Sequence, residues 1–166
     1  TPEEIQTASP DTYFFTKFIS YNATTGTLNP FSQISETSYA IRLSEVYLLK
    51  AEAIIRSGGG LSDARTVLKT VMSKAGIVNG SPLYQPVDNA NTPIDLWKQV
   101  YFETLRNLTG EDAIDWFALL RFPFDTIKQL RPTITSSSQL WFGVPVSEFQ
   151  TNVLFGSQNR GGYPTQ

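Results

Sequence analysis

The chain has 166 residues and a formal net charge of −2 at pH 7, a length that fits one domain able to bury roughly 70% of its unfolded surface. Its 13 basic and 15 acidic residues create no field of the kind that attracts nucleic acid or anionic lipid, so we expect no nucleic-acid partner. The absence of Cys and His excludes disulfides, thiol and histidine catalysis and nearly every zinc, copper or haem site, so we expect no cofactor and no metal.

Residues 1–38 form a lead-in segment with no helical period, in which aromatic and polar residues alternate. This pattern favours extended and irregular structure. Tyr21 beside Asn22 combines a flat ring with an amide, the two kinds of group that hold a sugar, so both are candidates for carbohydrate binding. Since the chain starts at Thr1 without a methionine, we expect that the N-terminal part of the protein is missing from this sequence.

Residues 39–57 predict a helix that is apolar on most sides and therefore surrounded by other elements. The glycines at 58–60 end it, and Ser62 is expected to cap a second, amphipathic helix that stops at Gly76. Together they predict an antiparallel, tetratricopeptide-like helical hairpin over residues 39–76. One such hairpin cannot bury both of its faces alone, so a neighbouring element is implied.

Two carboxylates interrupt the apolar first helix. Glu45 and Glu52 are seven residues apart and share one helical face. A carboxylate alone in a dry interior costs several kcal/mol, so we expect each acid to find backbone donors or a cation, the latter in a structural ion pair. Arginine suits this role better than lysine because its planar fork binds a carboxylate at two points. The candidate partners are Arg42, Arg106 and Arg121.

The same two acids invite a catalytic interpretation, as the acid and nucleophile of a glycosidase. Such a pair requires carboxyl groups about 5 to 9.5 Å apart in an open cleft. Two helical turns separate Glu45 and Glu52 by about 10.5 Å along the axis, and a helix that is apolar on most sides leaves no cleft. We therefore expect no catalytic residues and no enzyme.

Residues 77–93 are rich in proline and predict a loop. Within it Tyr84 lies beside Gln85, which makes Tyr84 a third candidate for carbohydrate binding. Thr92, followed by a proline, predicts the cap of a third helix, which is interrupted at Gly110.

A short fourth helix is predicted from residue 112 to residue 120, before Pro123. Residues 133–138 predict a loop, and residues 140–149 a short extended piece that ends in a helical turn. All three tryptophans are expected to be packed rather than exposed: Trp97, Trp116 and Trp141.

Several of these segments follow a family pattern in family order. Residues 41–53 match a helix that reads I-R-L-x-E-V-Y-L-L-x-A-E-A. Later segments are similar to further family motifs: a helix end A-G-[IL] at residues 75–77, an E-R rich helix at 103–106, a W-F-D-L-x-R segment at 116–121, where Ala118 stands in place of the Asp, and an I-P-x-S-E-[IL] close before Q-N-x-G-Y at 144–149 and 158–163. In these residues the chain resembles the C-terminal portion of the SusD/RagB family of outer-membrane glycan-binding lipoproteins.

The resemblance implies a mainly α fold, in which a tetratricopeptide-like hairpin is joined to further helices and long irregular loops. It implies one compact unit overall, made of a lead-in segment at 1–38, the hairpin at 39–76 and C-terminal helices and loops at 77–166. In the family the main aromatic platform for sugar precedes this portion of the chain, so no position here inherits a sugar contact by motif.

The resemblance further implies non-catalytic binding of a polysaccharide or oligosaccharide at the bacterial cell surface, in polysaccharide utilization and nutrient uptake. The expected partners are a glycan ligand and a SusC-like TonB-dependent outer-membrane transporter. No apolar run approaches the roughly 20 residues that span a bilayer, so membrane contact is expected only through a lipid anchor outside this segment. The alternative is a helical-repeat protein-interaction module without sugar binding, distinguished by whether its own polypeptide or another protein covers the hairpin.

Overall fold

The structure is a computed structural model, mainly helical as the sequence predicted, with seven α-helices in the part of the chain that it describes. The chain divides into two compact units, residues 1–97 and 98–166, where the sequence predicted a single one. The described residues are 5–9, 12–15, 21–22, 27–28, 40–111, 113–152, 154 and 156–159.

Four short strands lie within the lead-in segment. Strand β1 (Ile5–Ser9) pairs antiparallel with β2 (Thr12–Phe15), and β3 (Tyr21–Asn22) pairs antiparallel with β4 (Thr27–Leu28). The described part of residues 1–38 is therefore extended, as predicted. The domain boundaries at residues 38 and 76 stay a prediction.

Helices α1 (Leu43–Arg56) and α2 (Leu61–Lys74) form the predicted hairpin. Side chains spaced three or four residues apart bury one stripe on each helix, which is the pattern of two amphipathic helices packed together. The buried apolar residues of the two helices are Leu48, Ala51, Ile55, Ala64, Leu68, Val71 and Met72.

The turn between these helices depends on two glycines. Gly58 has φ 77°, a left-handed conformation that a side chain makes costly. The N–H of Gly59 donates to the carbonyl of Ile54 at 2.8 Å, and a Cβ at Gly59 would lie 2.8 Å from Ile54 Cγ2. The predicted cap at Ser62 is wrong, because Gly60 occupies the cap position and Ser62 lies inside the first turn of α2.

The prediction that the first helix is surrounded on most sides is wrong for this structure. Leu48 is 2% exposed, yet its neighbour Leu49 is 42% exposed and Leu43 is 72% exposed. Val46 and Tyr47 are also exposed. Helix α2 covers only one face of α1. The apolar composition of α1 therefore did not indicate which of its residues another element covers.

A short helix, α3 (Gln85–Asn89), lies inside the segment predicted to be a loop. Pro86 in its first turn suits a helix start, because the missing N–H would have no helical partner there. The guanidinium of Arg65 on α2 holds it, donating from Nε to the carbonyl of Val87 at 3.0 Å and from Nη2 to that of Ala90 at 2.8 Å. Contacts from α2 therefore order this segment.

Helix α4 (Pro93–Leu108) begins as the sequence predicted. The N–H of Asp95 donates to Thr92 Oγ1 at 3.2 Å, and the Thr92 hydroxyl donates to Asp95 Oδ2 at 2.6 Å. This reciprocal cap satisfies a backbone donor that the helix itself leaves unpaired. After the helix, Gly110 has φ 75°, which confirms the predicted interruption.

Helix α5 (Ile114–Leu120) is preceded by Ala113, a residue with a side chain in the left-handed region at φ 54°. That conformation costs a residue with a Cβ about 1 to 2 kcal/mol. Glycine avoids this cost, but it loses part of the gain because its backbone has more conformational freedom in the unfolded chain. We expect Ala113→Gly to stabilise the chain by about 0.5 to 1 kcal/mol in urea unfolding. Ala53→Gly inside α1 is the control and should destabilise by about 1 kcal/mol; the same loss at Ala113 would contradict this account.

Two elements near the C-terminus differ from the sequence prediction. Helix α6 (Phe124–Leu130) follows Pro123 and was not predicted, and a 3-10 helix (Ser137–Leu140) overlaps the predicted loop. Helix α7 (Val146–Thr151) confirms the predicted turn after Pro145. Among the described residues no helix is both long enough and apolar enough to cross a membrane.

Candidate functional site

Two of the residues proposed for sugar contact lie in the lead-in segment. The backbones of Tyr21 and Asn22 form strand β3, opposite Leu28 and Thr27 respectively. The pairing of β3 with β4 thus places Tyr21 and Asn22 at adjacent positions of one strand. Their role in carbohydrate binding stays a prediction.

The third candidate, Tyr84, is half-buried beside α2. The ammonium of Lys69 lies 4.4 Å from the centroid of its ring, a cation–π contact, and the same ammonium pairs with the carboxylate of Asp88. The hydrogen bond to Asp88 raises the pKa of Lys69 above its ordinary value. One face of Tyr84 is therefore engaged by Lys69, and its role in sugar binding stays a prediction.

Glu52 is buried on α1, at one edge of the helix hairpin. Its Oε1 accepts from Nη1 of Arg56 at 3.2 Å, one turn along the same helix. The guanidinium of Arg56 also lies 5.1 Å from the centroid of the Trp97 ring. The buried carboxylate of Glu52 is thus paired with Arg56, whose guanidinium lies against the ring of Trp97.

The other predicted acid and two of its candidate partners lie near the start of α1 and after α5. Arg42 precedes α1, and Glu45 is half-buried in its first turn. Arg121 follows α5 and donates from Nη1 to the carbonyl of Phe117 at 3.1 Å. The predicted set of structural ion pairs stays a prediction: Arg42, Glu45, Glu52, Arg106 and Arg121.

Helix α4 carries a buried carboxylate that the sequence analysis did not single out. Glu103 is 0% exposed. Its Oε2 accepts from Arg106 Nε at 2.8 Å and Nη2 at 2.6 Å, and its Oε1 accepts from Asn107 Nδ2 at 2.6 Å. Both oxygens are thus satisfied by side chains three and four residues along. The spacing Glu-x-x-Arg-Asn on a predicted helix was the sequence signal for this clamp.

Tyr101 is also buried on α4, with its ring edge-on to that of Phe122 at a centroid distance of 5.7 Å. Burial raises the pKa of its phenol above the ordinary value of 10.0, and the charge of Asp115 acts in the same direction, while Arg131 opposes it. The native state therefore holds this proton to a higher pH than the unfolded chain does.

The raised pKa of Tyr101 predicts how the stability of the chain changes with pH. The stability that neutral Tyr101 contributes should be complete below a pH of about 10 and lost as pH rises through the raised pKa. Thermal unfolding between roughly pH 9 and 11.5 should show a falling midpoint that Tyr101→Phe makes less steep. Tyr47→Phe, at an exposed tyrosine, should keep the full slope. Equal slopes for wild type and Tyr101→Phe would contradict the shift.

Two neighbouring aromatic residues stand out at the surface. Trp141 is 64% exposed and Phe142 is 72% exposed, so the prediction that Trp141 is packed is wrong. The rings of Phe142 and Trp116 lie 6.4 Å apart, centroid to centroid. Trp97 and Trp116, by contrast, are half-buried.

Two amide side chains hold the backbone beneath this aromatic pair. Gln158 bonds both backbone groups of Val144: its Oε1 accepts from the N–H at 2.8 Å and its Nε2 donates to the carbonyl at 2.9 Å. Asn159 Nδ2 donates to the carbonyl of Phe142 at 2.8 Å. Gln158 and Asn159 thereby fix the extended piece by the hydrogen bonds that a neighbouring strand would make. The backbone on the C-terminal side of Trp141 is thus held by residues about fifteen positions further along the chain.

The chain was compared with models of known protein families. The model of the SusD family matches residues 1–161, which include the helix hairpin, the Glu103 clamp and the two amides at 158 and 159. No significant match was found among curated proteins or among solved structures. Because the family match extends over almost the whole sequence, the chain belongs to the SusD family.

Proposed function

We propose that this chain is part of a bacterial cell-surface protein that binds a polysaccharide or oligosaccharide and delivers it to a SusC-like TonB-dependent outer-membrane transporter. The observation that carries the proposal is the family match over residues 1–161. Proteins of this family generally have a glycan-binding role in nutrient uptake and are generally not catalytic.

The position of the buried acids supports binding without catalysis. A glycosidase needs two carboxyl groups that both reach substrate and water. Glu52 and Glu103 are buried, and both are engaged by arginines that neutralise them. Carboxylates in such positions stabilise the scaffold and are not placed to act on a substrate.

The proposed location is the outer face of the outer membrane, with a lipid anchor outside this segment. Family proteins are typically outer-membrane surface lipoproteins. The low net charge of the chain fits a ligand that is a neutral polymer, which needs no charged field to attract it.

The exposed face of α1 favours a second candidate, a helical-repeat module that binds another protein and no sugar. Leu43, Val46 and Leu49 leave apolar surface uncovered on this face. A hairpin of tetratricopeptide size buries such a face against a neighbouring repeat or a partner. Absence of sugar binding together with protein binding would favour this candidate.

The test is affinity electrophoresis of the full-length protein through gels that contain starch, dextran, pullulan, xylan, mannan or mixed-linkage β-glucan. We expect at least one polysaccharide to retard the protein, and isothermal calorimetry to give its Kd. No new reducing ends should appear in the retained polysaccharide. A protein that no polysaccharide retards would contradict the proposed function, and co-purification with a SusC-like transporter tests delivery.

A further inference from the structure

The connection between α2 and α3 contains an asparagine followed by a glycine, Asn79 and Gly80. The N–H of Ser81 donates to the carbonyl of Val78 at 2.9 Å, and Gly80 has φ 93°. A hydrogen bond from the fourth residue to the first, with a positive φ at the third, is typical of a type II turn. Asn79 and Gly80 therefore occupy the central positions of a tight turn.

The side-chain amide of Asn79 and the backbone nitrogen of Gly80 are open to solvent. Both residues are exposed, and a Cβ on Gly80 would meet no atom within 4 Å beyond those of its chain neighbours. Within the described ranges, neither the amide of Asn79 nor the N–H of Gly80 takes part in a hydrogen bond. The hydrogen bond that closes the turn joins other groups, so it leaves the Gly80 nitrogen available.

We propose that Asn79 is a site of spontaneous deamidation. The Gly80 nitrogen attacks Cγ of Asn79, the new N–Cγ bond closes a succinimide ring, and the Cγ–Nδ2 bond breaks. The side-chain nitrogen leaves as ammonia and takes the proton of the Gly80 amide. Water then opens the ring: addition at Cγ gives aspartate, and addition at the backbone carbonyl gives isoaspartate. The reaction consumes a water molecule and releases an ammonia molecule.

The residue that follows an asparagine determines how readily this ring forms. A Cβ on that residue crowds the approach of its nitrogen to Cγ, and glycine has no Cβ. Asn89 and Asn91 are also exposed, but Ala90 and Thr92 follow them and carry side chains. The reaction needs only the chain and water, so the site does not depend on the proposed function. Its product is a carboxylate, which lowers the formal net charge of −2 by one unit.

The test is incubation of the full-length protein in warm neutral buffer for several weeks. Trypsin then releases residues 75–98 as one peptide, in which fragmentation by mass spectrometry separates Asn79 from Asn89 and Asn91. We expect Asn79 to lose its amide at least about tenfold faster than Asn89, and isoaspartyl methyltransferase to label the product. Asn79→Ser should abolish the label in this peptide, and Gly80→Ala should slow the conversion about tenfold.

A synthetic peptide of residues 75–98 measures what the fold contributes. Because the turn is exposed, the folded protein should convert Asn79 at a rate within about threefold of the peptide. Conversion in the peptide but not in the folded protein would overturn the proposal, since the fold would then protect the site. Equal rates at Asn79 and Asn89, or aspartate without isoaspartate, would also overturn it, because neither result fits attack by the Gly80 nitrogen.

Discussion

Replacing Arg106 by Ala should destabilise the chain by about 3 to 5 kcal/mol, because it leaves a buried carboxylate without its cation. Glu103 is fully buried, and Arg106 supplies two of the three side-chain hydrogen bonds that it accepts. Asn107 alone cannot neutralise the charge. Unfolding in urea, followed by circular dichroism, measures the loss as a lower midpoint at an unchanged slope.

A double variant tests whether the lost stability comes from the Glu103 carboxylate left without its cation. Glu103→Leu combined with Arg106→Met removes both charges and keeps comparable volume, so we expect most of the lost stability to return. Lys128→Ala is the control: it breaks an ion pair of similar spacing with the highly exposed Asp125, and it should change stability little. A double variant as unstable as Arg106→Ala would argue against this explanation.

Leu48→Ala should cost about 2 to 5 kcal/mol, whereas Leu49→Ala should cost less than about 1 kcal/mol. These residues are adjacent in α1 and differ only in what covers them, since Leu48 is 2% exposed and Leu49 is 42% exposed. Removing the Leu48 side chain leaves a cavity between α1 and α2. Removing that of Leu49 changes a surface that water already reaches.

The same two variants test whether α1 is covered on one face only. A helix enclosed on most sides would lose similar stability at both positions. Equal losses in urea unfolding would mean that another part of the protein covers Leu49. Leu68→Ala on α2, which is also fully buried, should match Leu48→Ala and shows that the hairpin interface is the source of the loss.

Local chemistry along the chain predicted most of the helices. Thr92 before a proline predicted the start of α4, and the glycines at 58–60 and Gly76 predicted where α1 and α2 end. These signals work because a cap or a left-handed turn is decided by residues within one turn of each other. Helix α6 was missed because its two turns carry too few apolar residues to establish a period.

The candidate site was harder to predict, since exposure depends on distant parts of the chain. Tyr84 lies beside Gln85 in sequence, but Lys69 on another helix engages its ring. Trp141 lies in an apolar sequence, which favours burial, and yet it is exposed. Sequence pattern identified the aromatic residues of the chain but not which ring faces would stay accessible.

The sequence by itself determined the fold class, the hairpin, the capped start of α4 and the exclusion of cysteine and histidine chemistry, because each depends on composition or on residues close in the chain. Only the tertiary structure decided which acids are buried, which face of α1 is covered and that Trp141 is exposed. Those outcomes depend on packing between elements that are separate in the chain, such as α1 against α2. No local period encodes such contacts, because packing rather than spacing determines which groups lose their water.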